Sequence, residues 1–248
     1  MKRRIIGIGL TAMWVALSAV PKVEAREYLI NQGYDTAEKG EFEVELYNDI
    51  NFADMGNEDT YNSKHQIEFE VGATDHLQLA YYEVYTWDRT NDWERDAFKV
   101  ETKLRLGEAG KWPLDVALYT EYKNPNGRRQ TYSDVFENKV ILSKEIGPWN
   151  LVGNFVFEKK IYAEEPWEYE VTAGANYALT QRTRLSIEVK QGLGNSNDFG
   201  FSRNRECLIV PGIYTRLTEH VRLLIGSAFG LTRVSDDVQL KSILEVEF

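Results

Sequence analysis

Residues 42–52, FEVELYNDINF, put Phe42, Val44, Leu46, Ile50 and Phe52 on one face of a strand and Glu43, Glu45, Tyr47, Asp49 and Asn51 on the other. The polar face is ionised rather than merely hydroxylic. The alternation recurs along the chain. HQIEFEVGA sets Ile67, Phe69 and Val71 against Glu68 and Glu70; FKVETKLRL sets Phe98, Val100, Leu104 and Leu106 against Lys99, Glu101, Lys103 and Arg105. LDVALYTEYK separates Leu114, Val116 and Leu118 from Asp115, Glu121 and Lys123, and the final segment leaves Glu245 and Glu247 on the polar side of Leu244, Val246 and Phe248.

These strands run to nine residues or more, the length a tilted strand needs to cross a bilayer, whereas strands of soluble sandwiches average about five or six. Within hydrocarbon every backbone N–H and C=O needs a partner in the protein, so strands span only as a closed sheet. A cation on the lipid face at mid-bilayer costs about 2–4 kcal/mol, which turns the charged series inward and the apolar series outward. Counting the less regular segments LQLAYYEVYTW, VFENKVIL, ECLIVPGIYTRL and VRLLIGSAFGLT, the pattern predicts an all-β fold, a single antiparallel transmembrane barrel of twelve strands. Periodicity leaves the register of the first three of these segments open. Tight turns (TDH, GEAGK, EIGP, LTQR, TEH) alternate with longer polar loops, as in outer-membrane barrels. Trp112 and Trp149 fall at the turn end and Trp87, Trp93 and Trp167 at the loop end, which predicts an aromatic belt at each interface.

The first 25 residues supply the compartment. Lys2, Arg3 and Arg4 precede an apolar stretch from Ile5 to Val20, a breaker at Pro21 and a small-residue site at Val23-Glu24-Ala25, the layout of a cleaved signal peptide. The chain is thus expected to comprise a signal peptide (1–25), a short periplasmic lead (26–39) and the barrel (40–248). A net charge of −10 argues against nucleic acid as a partner. Cys207, the single cysteine, cannot form an internal disulfide.

The terminal Phe248, preceded by apolar residues at every second position, resembles the C-terminal signature by which barrel-assembly machinery recognises Gram-negative outer-membrane barrels. KGEFEVE (39–45), EVGATDHLQLA (70–80) and GLT (230–232) together resemble an uncharacterised family of such barrels, sometimes labelled outer-membrane transporters, with a Lys-Gly-x-x-Glu-x-Glu first strand and a Gly-x-Thr-Asp turn. The resemblance implies a barrel in the outer membrane of a Gram-negative bacterium, in contact with its lipid. It implies no reaction.

Function then depends on the lumen. The predicted inward residues Glu43, Glu45, Asp49, Glu68, Glu70, Glu245 and Glu247 form an acidic wall; Lys99, Lys103, Arg105 and Lys123 form a basic one, with Glu101, Asp115 and Glu121 interspersed. One reading is a narrow water-filled channel for small charged or zwitterionic solutes, with no long loop to plug it. The other is a non-conducting structural or interaction barrel whose charges pair across a filled lumen. A lipid-modifying enzyme is a third class, and it needs a Ser-His pair near the loops. His76 and His220 sit in short turns; His65 could meet Ser63 or Ser202, but no motif surrounds it and it reads as a solvated rim residue. No enzyme is therefore expected. DMGNED and GNSND lack the spacing of a calcium loop, so neither metal nor cofactor is expected either. Gly72, Gly174 and Gly192 fall on the inward series and are expected to relieve crowding, and Pro211 predicts a bulge or bend.

Overall fold

A computed structural model describes residues 27–57, 60–88, 91–125, 133–161 and 164–248. The expected signal peptide lies outside the described residues, as does most of the loop that begins KNPNGRRQ. The strands are β1 (Phe42–Phe52), β2 (Tyr61–Gly72), β3 (Leu77–Asp88), β4 (Asn91–Arg105), β5 (Asp115–Pro125), β6 (Val135–Ile146), β7 (Trp149–Lys160), β8 (Glu168–Ala178), β9 (Thr183–Asn195), β10 (Asp198–Phe199), β11 (Cys207–Arg216), β12 (Val221–Gly230) and β13 (Val238–Glu247). β10 is a two-residue arm folded onto β9 within a loop. The remaining twelve pair antiparallel with their neighbours, and β1 pairs β13 from Glu43↔Glu247 to Phe52↔Val238, which closes a twelve-stranded transmembrane barrel.

The register follows the predicted cost of charge in hydrocarbon. Phe69, Val100, Leu118, Phe155, Ile187 and Leu240 are exposed on the outer face, while Glu45, Glu68, Glu101 and Glu245 are buried inside. The segments with open register now have one: β3 points Gln78, Ala80, Tyr82 and Val84 inward, β6 points Ile141 and Ser143, and β11 points Leu208, Val210 and Tyr214. Pro211 inserts no bulge. Its ladder with β12 is interrupted between Ile209↔Phe229 and Gly212↔Gly226 while the register is kept. At the loop end Phe52, Tyr61 and Trp87 pack in a chain with ring centroids 5.4 and 5.3 Å apart; Trp93 and Trp167 lie at the same end, and Trp112 and Trp149 are exposed at the turn end.

Residues 26–39 are expected from sequence to be a periplasmic lead, with no long loop to plug the barrel. Instead, the described part of this segment runs inside the wall: Tyr28, Leu29, Asn31, Tyr34 and Ala37 are all buried against inward-facing side chains. The lead is a plug. Its composition explains its destination, because Asn31, Gln32 and Thr36 can satisfy polar walls while Tyr28, Leu29 and Tyr34 fill volume.

Candidate functional site

The plug is held chiefly by β7, β8 and β9. Glu188 on β9 accepts hydrogen bonds from the backbone N–H groups of Leu29, Ile30 and Asn31 at 2.8, 2.9 and 3.0 Å, and from the Asn31 side chain at 2.9 Å. Asn154 on β7 accepts from the Gln32 N–H at 2.7 Å and donates to its carbonyl at 3.0 Å, replacing the ladder partner that an irregular segment lacks. Thr172 donates to Asn31, Asn176 donates to the Glu27 carbonyl, Tyr28 donates to the Asn150 side chain at 2.6 Å, and the Ala37 N–H donates to Gln78 at 3.0 Å. The inward glycines mark its track. A Cβ on Gly174 would lie 2.7 Å from the Tyr28 ring, and one on Gly212 would lie 2.8 Å from Leu29; at Gly72 it would collide with the Glu38 carbonyl. Gly192 faces Arg205 and Glu206 instead.

Above the plug, toward the loops, lies a polar vestibule of about 370 Å³, floored by Leu29, Ile30 and Gln32. Its lysines face carboxylates: Lys99–Glu121 at 3.0 Å and Lys241–Asp49 at 3.1 Å across neighbouring strands, Lys139–Glu137 at 3.0 Å along β6 itself, and Lys190 between Glu170 at 2.9 Å and Glu206 at 3.0 Å. Lys123 lies 3.8 Å from Asp96. Of the predicted basic wall, Lys99 and Lys123 thus stand in ion pairs rather than on a continuous positive surface. The pairing of Lys190 and Lys241 is invisible in sequence because their partners come from other parts of the chain, whereas Lys139 pairs with Glu137 two residues away on β6.

Below the plug the acidic wall is dense. Glu43, Glu45, Glu68, Glu70 and Glu245 are all buried, and the Tyr47 hydroxyl bonds Glu45 and Glu68. Glu101 accepts from Tyr82, and the Gly110 N–H donates to Asp115 at 2.7 Å. Arg222 on β12 neutralises the closing seam: it bonds Glu245, lies 2.6 Å from Glu247 and 3.6 Å from Glu43. Lys103 faces the same small cavity as Glu43, Glu45 and Glu70, and Arg105 lies over the Tyr34 ring of the plug at 5.7 Å. Those three glutamates bring ligand oxygens within 4.8 Å of one another, close enough to share a cation, but Lys103 and Arg222 already supply positive charge there. Arg222 and the plug are the functional features the sequence hid most completely.

Three solved structures share this architecture. The KdgM porin in complex with disordered oligogalacturonate superposes with a TM-score of 0.56 at 6% identity, covering 83% of this chain and 98% of that one. A second KdgM porin structure gives 0.53 at 7% identity with the same coverage. The NanC porin gives 0.55 at 10% identity, covering 84% of this chain and 98% of that one. The fold is that of the outer-membrane porins. At such identities the likeness is one of fold alone. No protein-family model matches the chain and no curated protein matches its sequence, so the narrower resemblance of residues 39–45, 70–80 and 230–232 rests on those motifs.

His65 departs from its expected place. It is part-buried on the outward face of β2, its Nε2 is 3.1 Å from the Ser63 hydroxyl, and its Nδ1 is 2.9 Å from Asn48 Oδ1.

Proposed function

We propose that this barrel is a gated channel for small charged or zwitterionic solutes in the outer membrane of a Gram-negative bacterium, entered from the loop end and closed by residues 27–38. One observation carries the reading: the floor of the vestibule is a separate segment held by side-chain hydrogen bonds, not by the strand ladder. Such a floor can leave without opening the wall. The ion pairs lining the vestibule present both signs of charge to a solute, which suits zwitterions better than a single-sign field would. The exposed Phe248, whose N–H donates to Phe42 at 2.9 Å, supports recognition of the last strand by assembly machinery as β13 closes on β1.

The second reading is a non-conducting structural barrel, favoured by the fact that each of the vestibule lysines named above has a carboxylate partner. Planar-bilayer recording separates the two. Wild-type protein should conduct weakly, and Glu188→Ala, which removes the acceptor for three plug N–H groups, should increase open-channel occupancy at least tenfold; deletion of residues 27–38 should open the pore fully. Silence of the folded, plug-deleted barrel across several salts would establish the structural reading instead.

A further inference from the structure

The outward face of β1, β2 and β13 is apolar except at one spot. Among Leu46, Ile50, Ile67, Phe69, Leu240 and Leu244 sit Asn48, Ser63, His65 and Ser242, brought into register by the pairs Asn48↔His65 and Asn48↔Ser242. Polar groups facing acyl chains are costly unless they satisfy one another. Mutual satisfaction alone would require only some closed set of bonds, but the set formed here is directional. Asn48 Oδ1 can only accept, so at 2.9 Å it fixes the proton on His65 Nδ1; the Asn48 amide then donates to Ser242 Oγ at 3.4 Å. Nε2 is left as the unprotonated nitrogen, 3.1 Å from Ser63 Oγ. A hydroxyl, an imidazole base and a group that orients the base are the three roles of a nucleophilic triad, and they are recognised by geometry rather than by order in the chain.

The depth suits an ester. Tyr61, in the loop-end aromatic chain, precedes Ser63 by two residues and His65 by four. With a rise of about 3.3 Å per residue and a tilt of about 40°, these side chains lie roughly 5–10 Å below the aromatic belt. Belts of this kind mark the headgroup level, and the ester bonds of a glycerolipid lie just beneath it. Ser63 is only 5% exposed, and the ring of Trp93, 61% exposed, rests 4.7 Å from the imidazole, so an incoming acyl group must push past Trp93.

We propose that Ser63, His65 and Asn48 form a lipid-facing acyl-transfer site that takes carboxylic esters of outer-leaflet lipid, independent of any passage through the lumen. Ser63 Oγ attacks the ester carbonyl carbon and passes its proton to His65 Nε2. The carbon–oxygen bond of the ester breaks, and the leaving alcohol takes that proton. Water, deprotonated by the same nitrogen, then releases the carboxylic acid and restores Ser63. Asn48 is a positioning residue that acts through the imidazole. The strand N–H groups around the site are committed to the ladder, so no backbone oxyanion hole stands ready and turnover is expected to be slow. Covalent trapping is therefore the sensitive readout.

The test is labelling of purified, folded full-length barrel in lipid–detergent micelles with a long-chain alkyl fluorophosphonate, mapped by peptide mass spectrometry. Ser63 should be labelled in wild type and the label lost in Ser63→Ala. It should fall about 100-fold in His65→Ala and in the gentler His65→Gln, the scale of a lost general base. Asn48→Asp should keep the label with its pH profile displaced upward, a shift that a merely structural role would not produce. Heat-modifiable migration confirms folding of each variant. An unlabelled Ser63 in folded wild type, or equal labelling in a folded His65 variant, would overturn the proposal.

Discussion

Glu27 sits where the plug meets β8 and β9, and burial raises its carboxyl from the ordinary 4.5 to about 8; Arg184, 3.2 Å away, lowers it only in part. The seated plug therefore holds a proton that the released segment gives up between those values. The resulting contribution to seating is complete below about pH 4.5 and is lost as pH rises through about 8. Conductance, and protease sensitivity of residues 27–38, should rise across that window in wild type and lose this dependence in Glu27→Gln. Gly72 makes an equally local prediction. A methyl there meets the Glu38 carbonyl, which is backbone and cannot rotate aside, so Gly72→Ala should expel the base of the plug. The readout is new proteolytic cleavage between residues 27 and 38 in a barrel that still shows heat-modifiable migration.

Among the elements, the strands and the plug are stabilised by different means. Each of the twelve wall strands is held on both sides by a backbone ladder, whereas the plug's hydrogen bonds run largely to side chains of Glu188, Asn154, Asn150, Asn176 and Gln78. That difference lets one element move while the other stays. At its turn end the seam between β12, β13 and β1 is bridged by Arg222. Arg222→Ala would leave Glu43, Glu245 and Glu247 facing one another with no guanidinium, a loss of about 3–5 kcal/mol on the scale of broken buried pairs. Urea unfolding in detergent should show a lower midpoint for this variant, and a midpoint equal to wild type would mean that another group, such as Lys103, compensates.

For the whole molecule, alternation at residues 42–52, 67–71 and 98–106, sustained over membrane-crossing lengths, was enough to predict a closed barrel. The reason is physical: a period of two, sustained over a membrane-crossing length, admits one arrangement once charge is kept out of hydrocarbon. What stayed illegible depended on which strands become neighbours. Lys190 gives no sign in sequence that Glu170 and Glu206 flank it, and Arg222 reads as an isolated charge in an apolar run. Asn48 and His65 fall on predicted strands, yet only the β1–β2 register joins them. Residues 27–38 have no period at all, so composition alone reads them as a loop outside the wall. Whether such a segment enters the lumen is decided by the volume twelve strands enclose and by donors and acceptors scattered over β3, β7, β8 and β9. Sequence by itself determined the wall, because a wall follows from local pattern and solvent; tertiary structure alone decided what the wall contains and what it displays to lipid, because those contacts join residues far apart along the chain.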